Sequence, residues 1–148
     1  MAGYSGTPLV NKIGIKPGHR LLLVNGPKNF ASTLGELPSD NKLVSKDKAF
    51  DVAIVFATSA AELDKRLRET KRSMEQNGMV WVGWPKKTSG VATDLLENKV
   101  RDIGLAAGLV DIKVCAIDDT WSGLKFVIRV ADRQKTTAAA KTKKASAK

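Results

Sequence analysis

Three apolar runs, each followed by turn-forming residues, constrain most strongly how this chain can fold. They are RLLLVN at 20–25, DVAIVFA at 51–57 and MVWVGW at 79–84. Short apolar runs bounded by turn residues are typical of strands that are buried on both faces, as in a parallel sheet. Parallel neighbours need a crossover segment between them, usually a helix. The runs therefore predict an α/β fold if helices lie between them.

A helical pattern follows the second run. Ser59 and Glu62 have the spacing of a capping box, and Leu63 and Leu67 mark one apolar face. We expect this helix to continue until Asn77-Gly78, which is a common stop signal. It therefore lies where a crossover between the second and third runs is needed.

A second helical pattern follows the third run, in TDLLENKVRDIGLAAG at 93–108. Leu96, Val100 and Ile103 share one face, while Asp94 and Glu97 have capping-box spacing at its start. The two segments after it, LVDIKVCAI at 109–117 and LKFVIRV at 124–130, alternate between apolar and polar residues. A short connection joins them, so we expect them to pair antiparallel.

These elements predict one domain over 1–131, with NKLVS at 41–45 as an edge strand. The predicted fold is α/β: a reduced Rossmann-like, mainly parallel sheet that closes with an antiparallel hairpin and has helices on both faces.

Charge is concentrated at the end of the chain. The sequence has 25 Lys and Arg against 15 Asp and Glu, a net charge of +10. We predict that the basic segment 132–148, which has no large apolar residue, is a disordered tail. Such a tail either binds nucleic acid non-specifically or only raises solubility. No apolar run reaches the roughly 20 residues of a membrane span, and no signal peptide is evident, so we expect a cytoplasmic protein without a membrane partner.

Few residues can carry metal or nucleophilic chemistry. The chain has one cysteine, Cys115, and one histidine, His19. Cys115 lies in an alternating strand without a histidine nearby in sequence, so we interpret it as a packing residue. His19 lies in the PGHR turn and is interpreted as a turn residue. We therefore predict no metal site.

Ligands of open parallel sheets bind at the carboxyl ends of the strands. Two loops that should meet there contain most of the candidate ligand-binding residues. In PKKTSG, Lys86 and Lys87 supply charge and Thr88 and Ser89 supply hydroxyls, which suits either an anion site or an ordinary turn.

The neighbouring loop, DDTWSG, supplies the other candidates. Asp118 and Asp119 suit either ligand binding or a turn, and Trp121 either stacks on a ligand or packs. Asn25, at the end of the first run, completes the candidate set. The expected ligand is an unidentified small or anionic molecule.

Three stretches carry a resemblance to a known family. They are GYSGTPLVNKIGIKPGHRLLLVN, WVGWPKKTSGVATDL and VRDIGLAAGLVDIKVCAIDDTWSGLKFVIR. Over residues 3–130 the chain resembles the uncharacterised bacterial domain-of-unknown-function family 3052, which implies a fold and no activity. A wider similarity, carried by IKPGHRLLLVN and the closing hairpin, is to the class I methyltransferase fold.

The chain departs from the methyltransferase pattern after the first run. VNGPKNF lacks the glycine-rich turn, only about 26 residues separate the first two runs, and Asp47 is the one candidate for a ribose-binding acid. We therefore predict no measurable binding of S-adenosylmethionine (SAM). Three hypotheses remain open: a ligand- or anion-binding module, a degenerate methyltransferase-like transferase, and a nucleic-acid-associated protein acting through its tail. Whether the protein is an enzyme stays undecided.

Overall fold

The computed structural model describes residues 8–129, which form a mixed sheet with helices on both faces. The strands are β1 (Arg20–Val24), β2 (Lys42–Val44), β3 (Phe50–Phe56), β4 (Met74–Pro85), β5 (Leu109–Ala116) and β6 (Trp121–Ile128). The helices are α1 (Leu9–Ile13), α2 (Phe30–Leu34), α3 (Ala60–Lys71) and α4 (Glu97–Ala106), and a 3-10 turn spans Lys87–Ser89. The predicted tail, 132–148, lies outside the described residues.

The sheet has six strands in the order β2-β1-β3-β4-β6-β5. Strands β1 to β4 are parallel, and β6 is antiparallel to both of its neighbours, β4 and β5. The predicted fold class is therefore confirmed, with the three apolar runs as parallel neighbours and a closing antiparallel hairpin. Because β6 lies between β4 and β5, those two strands point the same way and end at the same edge.

Two apolar cores explain why the central strands have no polar face. Residues Val52 to Phe56 of β3 are all fully buried. One core lies under α3 and α4, on what we call the α3/α4 face, and contains Trp84. The other lies under α1 and α2, on the α1/α2 face, and contains Trp81. The indole Nε1 of Trp81 donates a hydrogen bond of 2.9 Å to the carbonyl oxygen of Ile13, which ties α1 to the sheet.

The predicted extent of the helix after β3 is wrong. α3 ends at Lys71, and β4 already begins at Met74, which pairs with Phe50. The register then shifts, and Asn77-Gly78 lies within this irregular part of β4 instead of ending a helix. Burial of Met74 against β3 outweighs the local turn preference of Asn-Gly, because strand pairing depends strongly on tertiary context.

The start of α4 also differs from the prediction. Leu96 is the N-cap and is exposed, and the preceding Leu95 is buried in its place. Asp94 does not cap α4, since its Oδ1 accepts a hydrogen bond of 2.8 Å from the backbone N–H of Ala60, in α3.

The short spacing between the first two runs results from a reduced connection at one edge of the sheet. β2 is confirmed as a short edge strand, with Leu43 63% exposed. Residues 45–49 return from β2 to β3 without a helix. Part of the sheet beside this return is therefore less covered than the centre.

Candidate functional site

The turn after β1 is the first of the loops at the carboxyl edge. Asn25 has a φ of 58°, in the left-handed region that asparagine tolerates better than most residues. Its Nδ2 donates a hydrogen bond of 3.2 Å to the carbonyl oxygen of Phe56, at the end of β3. A Cβ added to the next residue, Gly26, would meet only Phe30 Cβ, at 4.0 Å. The turn is thus fixed by Asn25 and leaves open space beside Gly26.

A cavity of about 260 Å³ opens next to this turn. Its apolar wall comes from β1 and β2 and includes Leu22, Val24 and Val44. Asn25 and Asp47 contribute polar groups, and the end of α3 closes the far side. The cavity lies beside the 45–49 return, where no helix covers this part of the sheet.

Asp47 is the cavity's most distinctive polar residue. It is exposed, has a φ of 72° and forms no ion pair within residues 8–129. Its position about 20 residues after the β1 turn matches the usual spacing of a ribose-binding acid.

The PKKTSG loop lies beside the DDTWSG loop, as predicted. Pro85 pairs with Trp121, and the backbone N–H of Lys86 donates a hydrogen bond of 2.8 Å to the carbonyl oxygen of Thr120. Within residues 8–129, neither Lys86 nor Lys87 forms an ion pair with Asp118, Asp119 or any other carboxylate.

The other two candidates in this loop differ in availability. Thr88 is exposed, while the Ser89 hydroxyl accepts a hydrogen bond of 3.1 Å from the backbone N–H of Val91. The loop therefore offers two ammonium groups and one hydroxyl to solvent. A ligand for them stays a prediction.

The β5–β6 connection uses Asp118 as a turn former. Its Oδ1 accepts hydrogen bonds of 2.9 Å from the backbone N–H groups of Thr120 and Trp121. The Trp121 ring packs edge-to-face on Phe56, with a centroid distance of 5.1 Å. Asp119 alone in this loop presents an exposed carboxylate. No group of three or more His, Cys, Asp or Glu that could hold a metal occurs among the described residues.

The N-terminus of α3 is also at this edge, but its own side chains occupy it. The Glu62 carboxylate accepts a hydrogen bond of 2.9 Å from the Thr58 N–H, and Ser59 Oγ accepts one of 3.2 Å from the Glu62 N–H. The Thr58 hydrogen bond, and then the Arg66 charge, hold the pKa of Glu62 below its usual value despite partial burial. With Asp94 bound to the Ala60 N–H as well, this helix terminus is already neutralised.

Cys115 and His19 have structural surroundings. Burial raises the pKa of the Cys115 thiol, although the charges of Lys12 and Lys113 oppose this. His19 Nδ1 accepts a hydrogen bond of 3.1 Å from the Lys16 N–H, within the turn before β1. No helix among residues 8–129 is long and apolar enough to span a membrane.

Comparison with known proteins identifies the fold. No protein-family model and no curated protein sequence matches the chain. A SAM-dependent methyltransferase from Aquifex aeolicus is similar in structure, with 16% identity and a TM-score of 0.62 over 82% of this chain and 88% of that one. Precorrin-6y C5,15-methyltransferase from Geobacter metallireducens GS-15 has 6% identity and a TM-score of 0.59 over 82% and 86%. Magnesium protoporphyrin IX methyltransferase from Synechocystis PCC 6803, with bound SAM, has 12% identity and a TM-score of 0.56 over 82% of this chain and 74% of that one.

These similarities confirm the methyltransferase-like Rossmann fold and, at such low identity, the fold alone. The resemblance to family 3052 is not confirmed, because no family model matches.

The prediction against SAM binding is wrong. Structures of this fold include a methyltransferase with bound S-adenosylhomocysteine (SAH) or SAM, so the cofactor is compatible with this architecture. The prediction assumed that the β1 turn needs several glycines, but Asn25 takes the left-handed conformation and Gly26 leaves the space. It also treated the short spacing as a loss of the site, whereas the helix is missing only from the β2–β3 return.

Proposed function

We propose that this chain binds SAM, or its product SAH, at the carboxyl edge of β1 and β2, as a reduced methyltransferase-like protein. The observation that carries the proposal is the cavity between Asn25 and Asp47, at the ends of two adjacent parallel strands. Ligands of Rossmann-like sheets bind at this edge.

Each part of the cavity suits one part of a nucleoside. The Asp47 carboxylate can accept hydrogen bonds from ribose hydroxyls, and Leu22, Val24 and Val44 can pack against a purine ring. The open space at Gly26 lets the backbone approach the ligand. The cavity of about 260 Å³ is smaller than the roughly 300–1,000 Å³ of typical ligand pockets. It therefore matches the adenosine part, and the methionine part would extend towards β3 and β4.

Calorimetric titration of the chain with SAM, SAH and adenosine tests the proposal. We expect Asp47→Asn to weaken binding about 10- to 100-fold, because a hydrogen bond to a charged group contributes about 1.5–3 kcal/mol. Asp40→Asn is the matched control, since Asp40 is also exposed, has a φ of 60° and lies outside the cavity. The proposal fails if wild type binds none of these molecules or if both variants weaken binding equally.

Anion binding at Lys86 and Lys87 is a second candidate, favoured by the absence of ion pairs at both lysines among the described residues. β4 is two strands from β1, roughly 10 Å at the usual strand spacing. An anionic substrate held there would lie beside the proposed cofactor. We expect phosphate to raise the melting temperature of wild type and to have no effect on Lys86→Gln/Lys87→Gln. An equal rise in melting temperature in both proteins would exclude this loop as the phosphate site.

Methyl transfer itself is supported only by the fold. Nucleic-acid binding through 132–148 stays a prediction, since the tail lies outside the described residues.

A further inference from the structure

The β5–β6 hairpin has one face that is only partly covered. On the α3/α4 face, α4 packs closely on the hairpin: an added Cβ at Gly104 would lie 2.1 Å from Phe126 Cε1. On the α1/α2 face, α1 is tied to Trp81 of β4, and residues of the hairpin remain accessible there. Lys113 is exposed, and Lys125 is half-buried.

Two lysines on this face lie directly opposite each other. Lys113 of β5 and Lys125 of β6 are register partners, and Lys125 is also the partner of Trp81. Cross-strand partners share a face, so both lysines lie on the side to which the Trp81 indole points. Like charges directly opposite each other destabilise a sheet, so this pair lowers the stability of the hairpin unless an anion neutralises it.

Two more lysines come from the end of α1 and the turn after it, Lys12 and Lys16. Partial burial of its ammonium group, and then the positive charges of Lys113 and Lys16, lower the pKa of Lys125. Burial raises the pKa of the Cys115 thiol, and the positive charges of Lys12 and Lys113 oppose that rise. We call Lys12, Lys16, Lys113 and Lys125 the lysine face.

The chain offers this surface little negative charge. Within residues 8–129, Lys16, Lys113 and Lys125 form no ion pair. The remaining sequence contains one acidic residue, Asp132, and several lysines. Neutralisation of Lys16, Lys113 and Lys125 is therefore expected from outside the chain.

We propose that the lysine face binds the phosphate backbone of a nucleic acid. Phosphates spaced along a strand complement several lysines on one face of a sheet, and their binding releases counterions. A membrane surface is less suitable, because interfacial binding also needs large apolar side chains to insert. The aromatic residues nearest to this face are not available to stack on bases, because Trp81 is fully buried and Trp121 is packed on Phe56. The contacts are therefore to phosphates and independent of base sequence.

This inference does not depend on the proposed cofactor site, because that site is at β1 and β2, at one end of the strand order, and Lys113 and Lys125 are on β5 and β6, at the other end. It also differs from binding through the basic tail, because it assigns the contact to residues of the folded domain.

Fluorescence anisotropy of the full chain with a labelled single-stranded oligonucleotide tests the proposal, with RNA, DNA and duplex forms compared. We expect Lys113→Gln/Lys125→Gln to weaken single-strand binding about 25-fold at about 0.1 M salt. The slope of log K against log salt should become shallower by about 1.4, since each lost phosphate contact removes about 0.7. Lys113→Gln alone should give about half of that slope change, and it keeps the half-buried Lys125.

Lys65→Gln/Lys99→Gln is the matched control. Both lysines are exposed, lie on α3 and α4, and form no ion pair within residues 8–129. The control variant has the same net charge and the same tail as the lysine-face double variant. In the control, the slope of log K against log salt should become shallower by at most about 0.7, which is half of the change expected for the lysine-face variant. The proposal is overturned if both double variants lose affinity equally, if neither does, or if wild type does not bind. It is also overturned if these lysines are needed for phosphatidylglycerol vesicles and not for the oligonucleotides.

Discussion

At the residue scale, Arg20 joins the starts of three strands. Its side chain donates hydrogen bonds of 3.0 and 3.1 Å to the Asp51 carboxylate and one of 2.9 Å to Glu75. Its backbone N–H donates a further one of 2.8 Å to Asp51. Burial alone would raise the pKa of Asp51, but the Arg20 hydrogen bonds and charge outweigh it and hold the pKa below its usual value.

This cluster predicts a pH dependence of stability. Because the pKa of Asp51 is lower in the folded chain, its contribution is present above the unfolded pKa and is lost as pH falls through the folded pKa. We expect Asp51→Asn to reduce the free energy of unfolding by about 1–3 kcal/mol near neutral pH and to flatten its decrease below about pH 4. Urea unfolding over this range measures both effects. Asp64→Asn, in an exposed pair with Arg68, should change stability by at most about 0.5 kcal/mol, and an equal loss would contradict this explanation.

The residues that sequence reasoning could and could not identify differ in the range of their contacts. Ser59 caps α3 as predicted, because its partner, the Glu62 N–H, lies within one helical turn. The Glu62 carboxylate, however, accepts from the Thr58 N–H, one residue before the position that a capping box requires. Asp94 was misassigned because its partner, the Ala60 N–H, is 34 residues away. Asp47 lies in a cavity that forms only when β1, β2 and α3 pack together, which no local sequence pattern reveals.

At the element scale, the close approach of α4 to the sheet depends on Gly104. A Cβ there would lie 2.1, 2.4 and 2.7 Å from three atoms of the Phe126 ring. This contact brings α4 against β6 on the opposite side from the lysine face. Apolar periodicity predicted the helix but not how closely it approaches the sheet.

Gly104→Ala should therefore destabilise the chain although alanine is the better helix former. Overpacking costs about 1–3 kcal/mol, against a helix-propensity gain of about 1 kcal/mol, so we expect a net loss of up to about 2 kcal/mol in the free energy of unfolding. Gly26→Ala is the control, since its nearest neighbour would be Phe30 Cβ at 4.0 Å, and it should be within about 0.5 kcal/mol of wild type. A stabilised Gly104→Ala variant would show that α4 is less tightly packed than the structure indicates. Chemical denaturation distinguishes the two outcomes.

At the scale of the whole molecule, the protein is a methyltransferase-like sheet with a reduced edge. Apolar runs and the alternating hairpin were sufficient to predict the parallel centre and the antiparallel end. The boundary between α3 and β4 was not predictable from local pattern, because Met74 is buried by pairing with Phe50. The 45–49 return could be anticipated as a short spacing, but not as the edge of a cavity.

Nuclear magnetic resonance titration of the chain with SAM tests the central proposal most directly. We predict that the backbone amide signals of Gly26 and residues 44–47, and the Asn25 side-chain amide, shift together as SAM is added. The signals of Lys113 and Lys125 on the lysine face should not move with them. A titration in which Gly26 and Asp47 stay unchanged at saturating SAM, or in which only signals far from both residues shift, would contradict a cofactor site at this edge.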